Sequence, residues 1–258
     1  MTIWKTEYLR YRYFFGTIFS IELLLDILRL LKMLPVVDGV DTVYSFWQML
    51  SWIAIVALTI YDFFNFFYLS KDRLLHLLPV SKPKILMMKA VVFGTYMMAY
   101  FAFGLVRYLI LLPNENTESK PEVAAIYFIS KLIAVIAFLS LLNLTILIVK
   151  NINNKVIGAV IMAVILGVVI SAHAYGLYQI VNMNYHVDWT IGIVDGAIGI
   201  NHYANILPIV FTPTDKAFTL VENNFYLISV IINAFESIVS LILSVILFKF
   251  KKFNYVES

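Results

Sequence analysis

The chain has 258 residues, 62% of them hydrophobic and 14% charged, and a formal net charge of +3 at pH 7. This composition excludes an ordinary soluble globular domain, which is about half apolar, and the small net charge argues against a nucleic-acid-binding protein, which needs a continuous basic surface. Because the sequence has no cysteine, disulfides and thiolate metal sites are excluded as well.

Six stretches of the chain are long and apolar enough to be transmembrane helices. A helix needs about 20 mostly apolar residues to cross a hydrocarbon core about 30 Å thick. The stretches are Tyr13–Leu34, Val43–Leu69, Ile85–Leu112, Val123–Val149, Val156–Ile180 and Phe225–Phe248. They use almost the whole sequence, so we interpret residues 1–258 as one membrane domain that has no room for a soluble catalytic domain.

Basic residues fall on alternate connections between these stretches. They precede the first stretch and follow the second, fourth and sixth, at Lys5, Arg10, Arg12, Lys71, Arg73, Lys82, Lys84, Lys89, Lys150, Lys155, Lys249, Lys251 and Lys252. The positive-inside rule places these connections in the cytoplasm. The sequence therefore predicts an all-α integral membrane protein with six transmembrane helices and both termini cytoplasmic. The many Ile, Asn, Lys, Phe and Tyr residues are typical of an AT-rich genome and favour a bacterial plasma membrane.

The first twelve residues predict an amphipathic interfacial helix. Trp4, Tyr8 and Tyr11 recur at helical spacing, while Lys5 and Arg12 point elsewhere. Such a helix lies along the membrane surface with its rings among the headgroups and its charges in water. Its role is either membrane anchoring or contact with a partner.

The second connection, Ser70–Lys84, predicts a short, rigid cytoplasmic helix within the sequence SKDRLLHLLPVSKPK. Pro79 ends this helix because the residue before a proline disfavours the α conformation. Its four leucines would be unfavourable in water, so we expect them to lie against lipid or in a groove of another protein. The residues of this candidate coupling helix are Asp72, Arg73, Leu74, Leu75, His76, Leu77, Leu78 and Pro79.

The fifth connection contains an apolar segment from Trp189 to Phe211 that is only half a span long and is broken by glycines and Pro208. This pattern predicts a re-entrant or interfacial element on the outer face. Such an element is tolerated only where its backbone is buried in protein or faces water.

Ionisable residues within the predicted spans are costly, at about 2.5–3.5 kcal/mol each near the middle of a helix. The polar candidates for a translocation path are Glu22, Asp26, Asp62, Asn65, Lys131 and Glu236. Three interpretations stay open for them. They form structural pairs such as Asp26–Arg29 and Lys131–Glu236, they line a path for a cationic or amphipathic cargo, or they carry protons.

No catalytic motif is evident in the sequence. A phosphate-binding loop of the GxxxxGK[ST] type is absent, so this chain is not expected to hydrolyse ATP. The four histidines have no HExxH or other ligand spacing. An intramembrane hydrolase using His173, His202 and Glu236 is the least favoured alternative, and we expect no catalytic residue, cofactor or metal in this chain.

The motif LLHLLPVSKPKILMMK, at Leu74–Lys89, resembles the membrane subunits of ABC transporters of the ABC-2 type. The N-terminal amphipathic segment, the six-helix topology with both termini inside and the broken segment before the last helix are also similar to that family. The resemblance implies that Asp72–Pro79 is a coupling helix seated in a separate ATPase subunit.

The same resemblance implies that ATP and Mg²⁺ are bound by that ATPase partner and that a second permease subunit completes the path. Within the family, the small size and low-GC composition resemble permeases of Gram-positive peptide exporters, which implies an amphipathic peptide or other lipophilic cargo. An ion-coupled secondary transporter using Glu22, Asp26 or Glu236 is the main alternative.

Overall fold

A computed structural model of the chain describes residues 3–31, 33, 36–37, 40–68, 82–111, 120–150, 152, 154–185, 189–193, 209–213 and 225–250. The described helices are α1 (Ile3–Leu30), α2 (Thr42–Tyr68), α3 (Lys82–Leu111), α4 (Lys120–Val149), α5 (Lys155–Tyr185) and α6 (Phe225–Phe250). The described strands are β1 (Val36–Val37), β2 (Val40–Asp41), β3 (Trp189–Ile193) and β4 (Ile209–Pro213). The predicted helical fold is confirmed, with two small β-hairpins in the connections.

Four of the described helices contain stretches long and apolar enough to cross a membrane. These stretches are Pro83–Leu105 in α3, Phe128–Val149 in α4, Lys155–His173 in α5 and Val230–Phe248 in α6. In α2 the corresponding apolar stretch is shorter, Leu50–Phe66. The helix α1 is long enough to span a bilayer but carries several charged residues in its first half. The helix lengths and compositions support a membrane protein of the all-α class.

Helix α1 differs from the prediction at its start. The segment predicted to be a separate interfacial helix and the first predicted span belong to one continuous helix, Ile3–Leu30. Trp4 is exposed, whereas Tyr11 is buried and packs against Phe93 of α3, with the ring centroids 4.9 Å apart. Tyr11 is therefore part of the helix packing rather than of a headgroup layer.

The helix α4 lies at the centre of the bundle. It contacts α2, α3, α5 and α6, and its contact with α6 is the most extensive in the described structure. Ser237, Ser240 and Ser244 lie on one face of α6 and are buried, while Ala134 and Ala137 are buried on α4. Small residues allow two helix backbones to approach closely, which explains the extensive contact.

Aromatic rings join α1 to α3. The rings of Phe15 and Tyr96 are stacked with their centroids 3.8 Å apart and an angle of 2° between their planes. Phe93 is fully buried and also lies 6.1 Å from the ring of Phe63 in α2. The first three helices thus share one aromatic core.

The apolar segment in the fifth connection begins and ends in extended backbone. Strands β3 and β4 are antiparallel, with Trp189 opposite Pro213 and Ile193 opposite Ile209. This pairing supplies hydrogen-bond partners for backbone N–H and C=O groups of the two segments. Residues 194–208, between the strands, lie outside the described part of the chain, so the re-entrant element stays a prediction.

Candidate functional site

A cluster of four charged residues, of which Glu7, Asp62 and Lys89 are buried and Arg10 is exposed, joins α1, α2 and α3. The Lys89 ammonium donates to Asp62 Oδ2 at 2.7 Å and lies 3.5 Å from Glu7 Oε2. Arg10 Nη1 is 3.8 Å from both Glu7 Oε1 and Asp62 Oδ1. Lys89 is 0% exposed and Asp62 is 3% exposed, so this is a desolvated ion network rather than a surface pair. We call these four residues the inner ion cluster.

The two acidic and two basic residues of the inner ion cluster balance in formal charge. The Tyr11 hydroxyl donates to Asp62 Oδ1 and supplies a further partner for that carboxylate. Buried charges are tolerated only when they are paired and hydrogen-bonded in this way.

The inner ion cluster lies near the end of α2 and the start of α3, the two helices between which the predicted coupling helix falls in the sequence. Asp62 is six residues before the end of α2 at Tyr68, and Lys89 is seven residues after the start of α3 at Lys82. Each separation corresponds to about 10 Å along a helix. The candidate coupling residues Asp72–Pro79 themselves lie outside the described residues. The helices before and after these residues in the sequence, α2 and α3, are joined by the Asp62–Lys89 ion pair.

A second polar group lies further along the same three helices. The Tyr100 hydroxyl donates to Glu22 Oε1 at 3.3 Å, and Ser51 Oγ donates to the same oxygen at 3.4 Å. Ser51 Oγ and the Tyr100 hydroxyl are also 2.8 Å apart. Because Ser51 and Tyr100 are each eleven residues from the inner ion cluster, the two groups are separated by about 16 Å along α2 and α3.

Lys131 lies near this second group, on α4. Its ammonium is 5.1 Å from the centre of the Phe101 ring, and Phe101 packs against Trp52 with the ring centroids 4.8 Å apart. A cation over an aromatic face is attracted by the ring quadrupole. The predicted Lys131–Glu236 ion pair is not observed. Glu236 is hydrogen-bonded to His173 instead.

The remaining candidates from the sequence have separate surroundings. Asp26 is partly buried one turn after Glu22, and the side chain of Arg29, its predicted partner, lies outside the described residues. Asn65 is buried one turn after Asp62, and its Oδ1 has no hydrogen-bond partner among the described residues. Neither residue joins the inner ion cluster directly in the described contacts.

Tyr8 connects α1 to α3 rather than standing alone at the membrane surface. Its hydroxyl is 3.0 Å from Thr95 Oγ1, and the Tyr96 hydroxyl donates to the Tyr8 backbone oxygen at 2.8 Å. The rings of Tyr8 and Tyr96 lie 5.9 Å apart. Of the three predicted interfacial aromatics, only Trp4 is exposed as an interfacial residue would be.

Helices α5 and α6 carry a third polar group. The Nδ1 of His173 donates to Glu236 Oε1 at 2.8 Å, at the edge of a cavity of about 290 Å³. The sequence named His173 and Glu236 together only in the least favoured alternative, an intramembrane hydrolase. The spacing of residues along one helix could not reveal the pair, because its members are 63 residues apart.

An open groove of about 900 Å³ lies between α3, α4 and α6. Its walls are almost entirely apolar, with Ser140, Asn143 and Ser244 as polar residues among its lining. Gly94 lies on the α3 wall, where an added Cβ would come within 3.4 Å of the Leu139 side chain. The groove is wide enough for an apolar side chain, a lipid chain or the face of another helix.

The sequence did not identify Glu7, Arg10, Ser51 or Tyr100 as members of a site. Glu7, Arg10 and Tyr11 are three and four residues apart and therefore share one helix face, which is the signal that could have identified them. Within the described part of the chain, no three His, Asp or Glu side chains are grouped closely enough to hold a metal ion.

Replacing Tyr100 by Phe is expected to lower the free energy of unfolding by about 1.5–3 kcal/mol, because the change removes a hydrogen bond to the buried Glu22 carboxylate. Unfolding in mixed detergent micelles, followed by tryptophan fluorescence, would measure the change. Tyr61, which is exposed on α2, provides the matched control, and Tyr61→Phe should have little effect. Equal losses in the two variants would contradict a stabilising role for the Tyr100 hydroxyl.

No known family model, curated protein or solved structure matches this chain.

Proposed function

We propose that this chain is the membrane-spanning subunit of an ATP-driven ABC exporter, with six transmembrane helices and both termini in the cytoplasm. The observation that supports the proposal is the inner ion cluster, which joins α2 to α3 near the helix ends that flank the predicted coupling helix in the sequence. A segment that receives force from an ATPase must be attached to helices that move as one unit. The Asp62–Lys89 pair meets that requirement, and Glu7 and Arg10 extend the unit to α1.

In this proposal, ATP binding closes the partner ATPases and displaces the helix around Leu74–Leu78. The displacement passes through the ends of α2 and α3 to the inner ion cluster and moves the first three helices together. Helix α4 then transmits the motion, because it contacts α2 and α3 as well as α5 and α6. Access to the path between two permease subunits changes from the cytoplasmic side to the outside.

The proposed cargo is an amphipathic peptide or another lipophilic molecule. The groove between α3, α4 and α6 supports this class, because it is large, apolar and bears a few hydroxyl and amide groups. The exporters of phenol-soluble modulins, whose permeases the sequence resembles, handle cargo of this kind. The second permease subunit, identical or different, would complete the path.

A mild-detergent pull-down from native membranes, with an affinity tag after Ser258, tests the proposal. We expect a stoichiometric soluble partner with a phosphate-binding loop, identified by mass spectrometry. An untagged strain provides the control for non-specific recovery. Purification of this chain alone, from membranes in which it supports transport, would contradict an ABC exporter.

An ion-coupled secondary transporter is the second candidate, and the His173–Glu236 pair is the observation that favours it. A histidine hydrogen-bonded to a carboxylate beside a cavity is a chemically suitable proton carrier. This candidate predicts transport that continues after ATP depletion and stops when an uncoupler is added. The ABC exporter predicts the opposite dependence in the same cells.

A further inference from the structure

The first half of α1 has an exposed basic face. Lys5 and Arg12 are both exposed and are seven residues apart, which is close to two helical turns, so they lie on the same side of α1. Glu7, on the opposite side of the helix, is buried and pairs with Arg10 and Lys89. In the described part of the chain, no carboxylate forms an ion pair with Lys5 or Arg12. Their positive charges are therefore free to attract an anion from outside the chain.

The Arg12 guanidinium is positioned by the neighbouring Tyr13. Its Nη2 donates to the Tyr13 hydroxyl at 2.6 Å, and its Cζ lies 4.5 Å from the centre of the Tyr13 ring. Tyr13 is 73% exposed, so the pair lies on the outer surface of the helix. A guanidinium carries several N–H donors in a rigid fork that matches the oxygens of a phosphate group. The donors that Tyr13 does not use are available for such a ligand.

The same face of α1 becomes apolar after Arg12. Gly16, one turn further, has no atom within 4 Å of the position that a Cβ would take, so the helix surface is open there. Leu23 and Ile27 follow on this side of the helix and are exposed. The predicted apolar stretch begins at Tyr13, which places Arg12 at the edge of the hydrocarbon core. A basic group followed by an open apolar surface matches an amphiphile with an anionic head.

We propose that this face of α1 binds an anionic glycerophospholipid, with its phosphate at Arg12 and an acyl chain along Gly16 and Leu23. Lys5 adds a second positive charge at the headgroup level, where the exposed ring of Trp4 also lies. These charges favour a lipid of net negative charge over a zwitterionic lipid, whose own cation would be repelled. This inference goes beyond the proposed function, because it concerns a lipid bound by this chain whether or not an ATPase is attached.

A single fluorescent label on the full chain tests the inference. Because the sequence has no cysteine, Ser20→Cys gives one labelling site for bimane. Ser20 is exposed on the lipid-binding side of α1, eight residues or about 12 Å beyond Arg12. The labelled chain is placed in phosphatidylcholine vesicles that contain a small fraction of phosphatidylglycerol or phosphatidylcholine with a nitroxide on the acyl chain, which quenches bimane on contact.

At equal nitroxide content, quenching at Ser20 should show that phosphatidylglycerol associates at least about fivefold more strongly than phosphatidylcholine. Arg12→Gln removes the positive charge, so this preference should fall about fivefold, whereas Arg12→Lys should keep part of it. Lys155→Gln is the matched control, because it removes one exposed positive charge from the start of α5. The preference measured at Ser20 should not change in that variant.

A second label position separates a local site from general accumulation of anionic lipid. Val164 is 57% exposed on α5, and bimane at Val164→Cys should be quenched about equally by the two lipids. This comparison leaves Arg12 in place, so it keeps the test decisive if Arg12→Gln fails to fold, which thermal unfolding would identify. Equal preferences at the two label positions, or a preference at Ser20 that survives folded Arg12→Gln, would overturn the inference.

Discussion

Replacing Lys89 by Met is expected to lower the free energy of unfolding by about 3–5 kcal/mol, because it removes the ammonium group that pairs with the buried Asp62 and Glu7 carboxylates. Lys89 is 0% exposed and lies 2.7 Å from Asp62 Oδ2, so water cannot replace the lost ammonium. The more distant Arg10 guanidinium, 3.8 Å from Asp62 Oδ1, offsets only part of the loss. Unfolding in mixed micelles of increasing dodecyl sulfate content would measure the change.

The controls for this prediction come from the same helix and the same cluster. Lys84 is exposed on α3, five residues before Lys89, and Lys84→Met should change stability by less than about 1 kcal/mol. The double variant Asp62→Asn/Lys89→Met restores the balance of charge, leaving Glu7 with Arg10, and should recover much of the loss. Equal stability of Lys84→Met and Lys89→Met, or no recovery in the double variant, would contradict a stabilising ion network.

The sequence predicted helix positions well where a helix is apolar from end to end. The predicted stretches Val123–Val149 and Val156–Ile180 agree within about five residues with α4 (Lys120–Val149) and α5 (Lys155–Tyr185). The length of an apolar run is a property of the sequence alone, so hydropathy identifies it directly. Helix ends are less certain because capping and fraying depend on neighbours.

The beginning of α1 could not be predicted in the same way. The basic residues Lys5, Arg10 and Arg12 suggested a segment outside the first span, yet all three belong to the continuous helix α1, together with Glu7. Their charge is accommodated by Asp62 and Lys89, which come from α2 and α3. Hydropathy counts the cost of each charge by itself, whereas the fold brings opposite charges together.

Pairs between helices were the least predictable feature of the candidate site. Glu236 was singled out as an acid within a predicted span, with Lys131 proposed as its partner, whereas His173 is the partner observed. Both choices satisfy the requirement that an intramembrane charge finds a polar group. Whether Lys131 or His173 pairs with Glu236 depends on the rotation of each helix about its axis and on its position along that axis. Both are set by helix packing, such as the close contact of α4 with α6.

The double variant Leu74→Asp/Leu78→Asp is expected to weaken association with the proposed ATPase by at least about a hundredfold. Burial of one leucine contributes about 1.5–3 kcal/mol, and each 1.4 kcal/mol corresponds to about a tenfold change in affinity. Surface plasmon resonance with the purified ATPase and the full chain in nanodiscs would measure this change. Leu74→Met/Leu78→Met keeps both side chains apolar and should retain most of the affinity.

Docking and force transmission are separable in this proposal, because the leucines belong to the predicted coupling helix, whereas the inner ion cluster belongs to α1, α2 and α3. In Asp62→Asn/Lys89→Met the coupling helix keeps its apolar face, so the ATPase should bind with unchanged affinity. The direct link between α2 and α3 is lost, so cargo transported per ATP hydrolysed should fall. Unchanged ATPase binding by Leu74→Asp/Leu78→Asp would remove the coupling helix from the mechanism, whereas unchanged transport by Asp62→Asn/Lys89→Met would assign the cluster to stability alone.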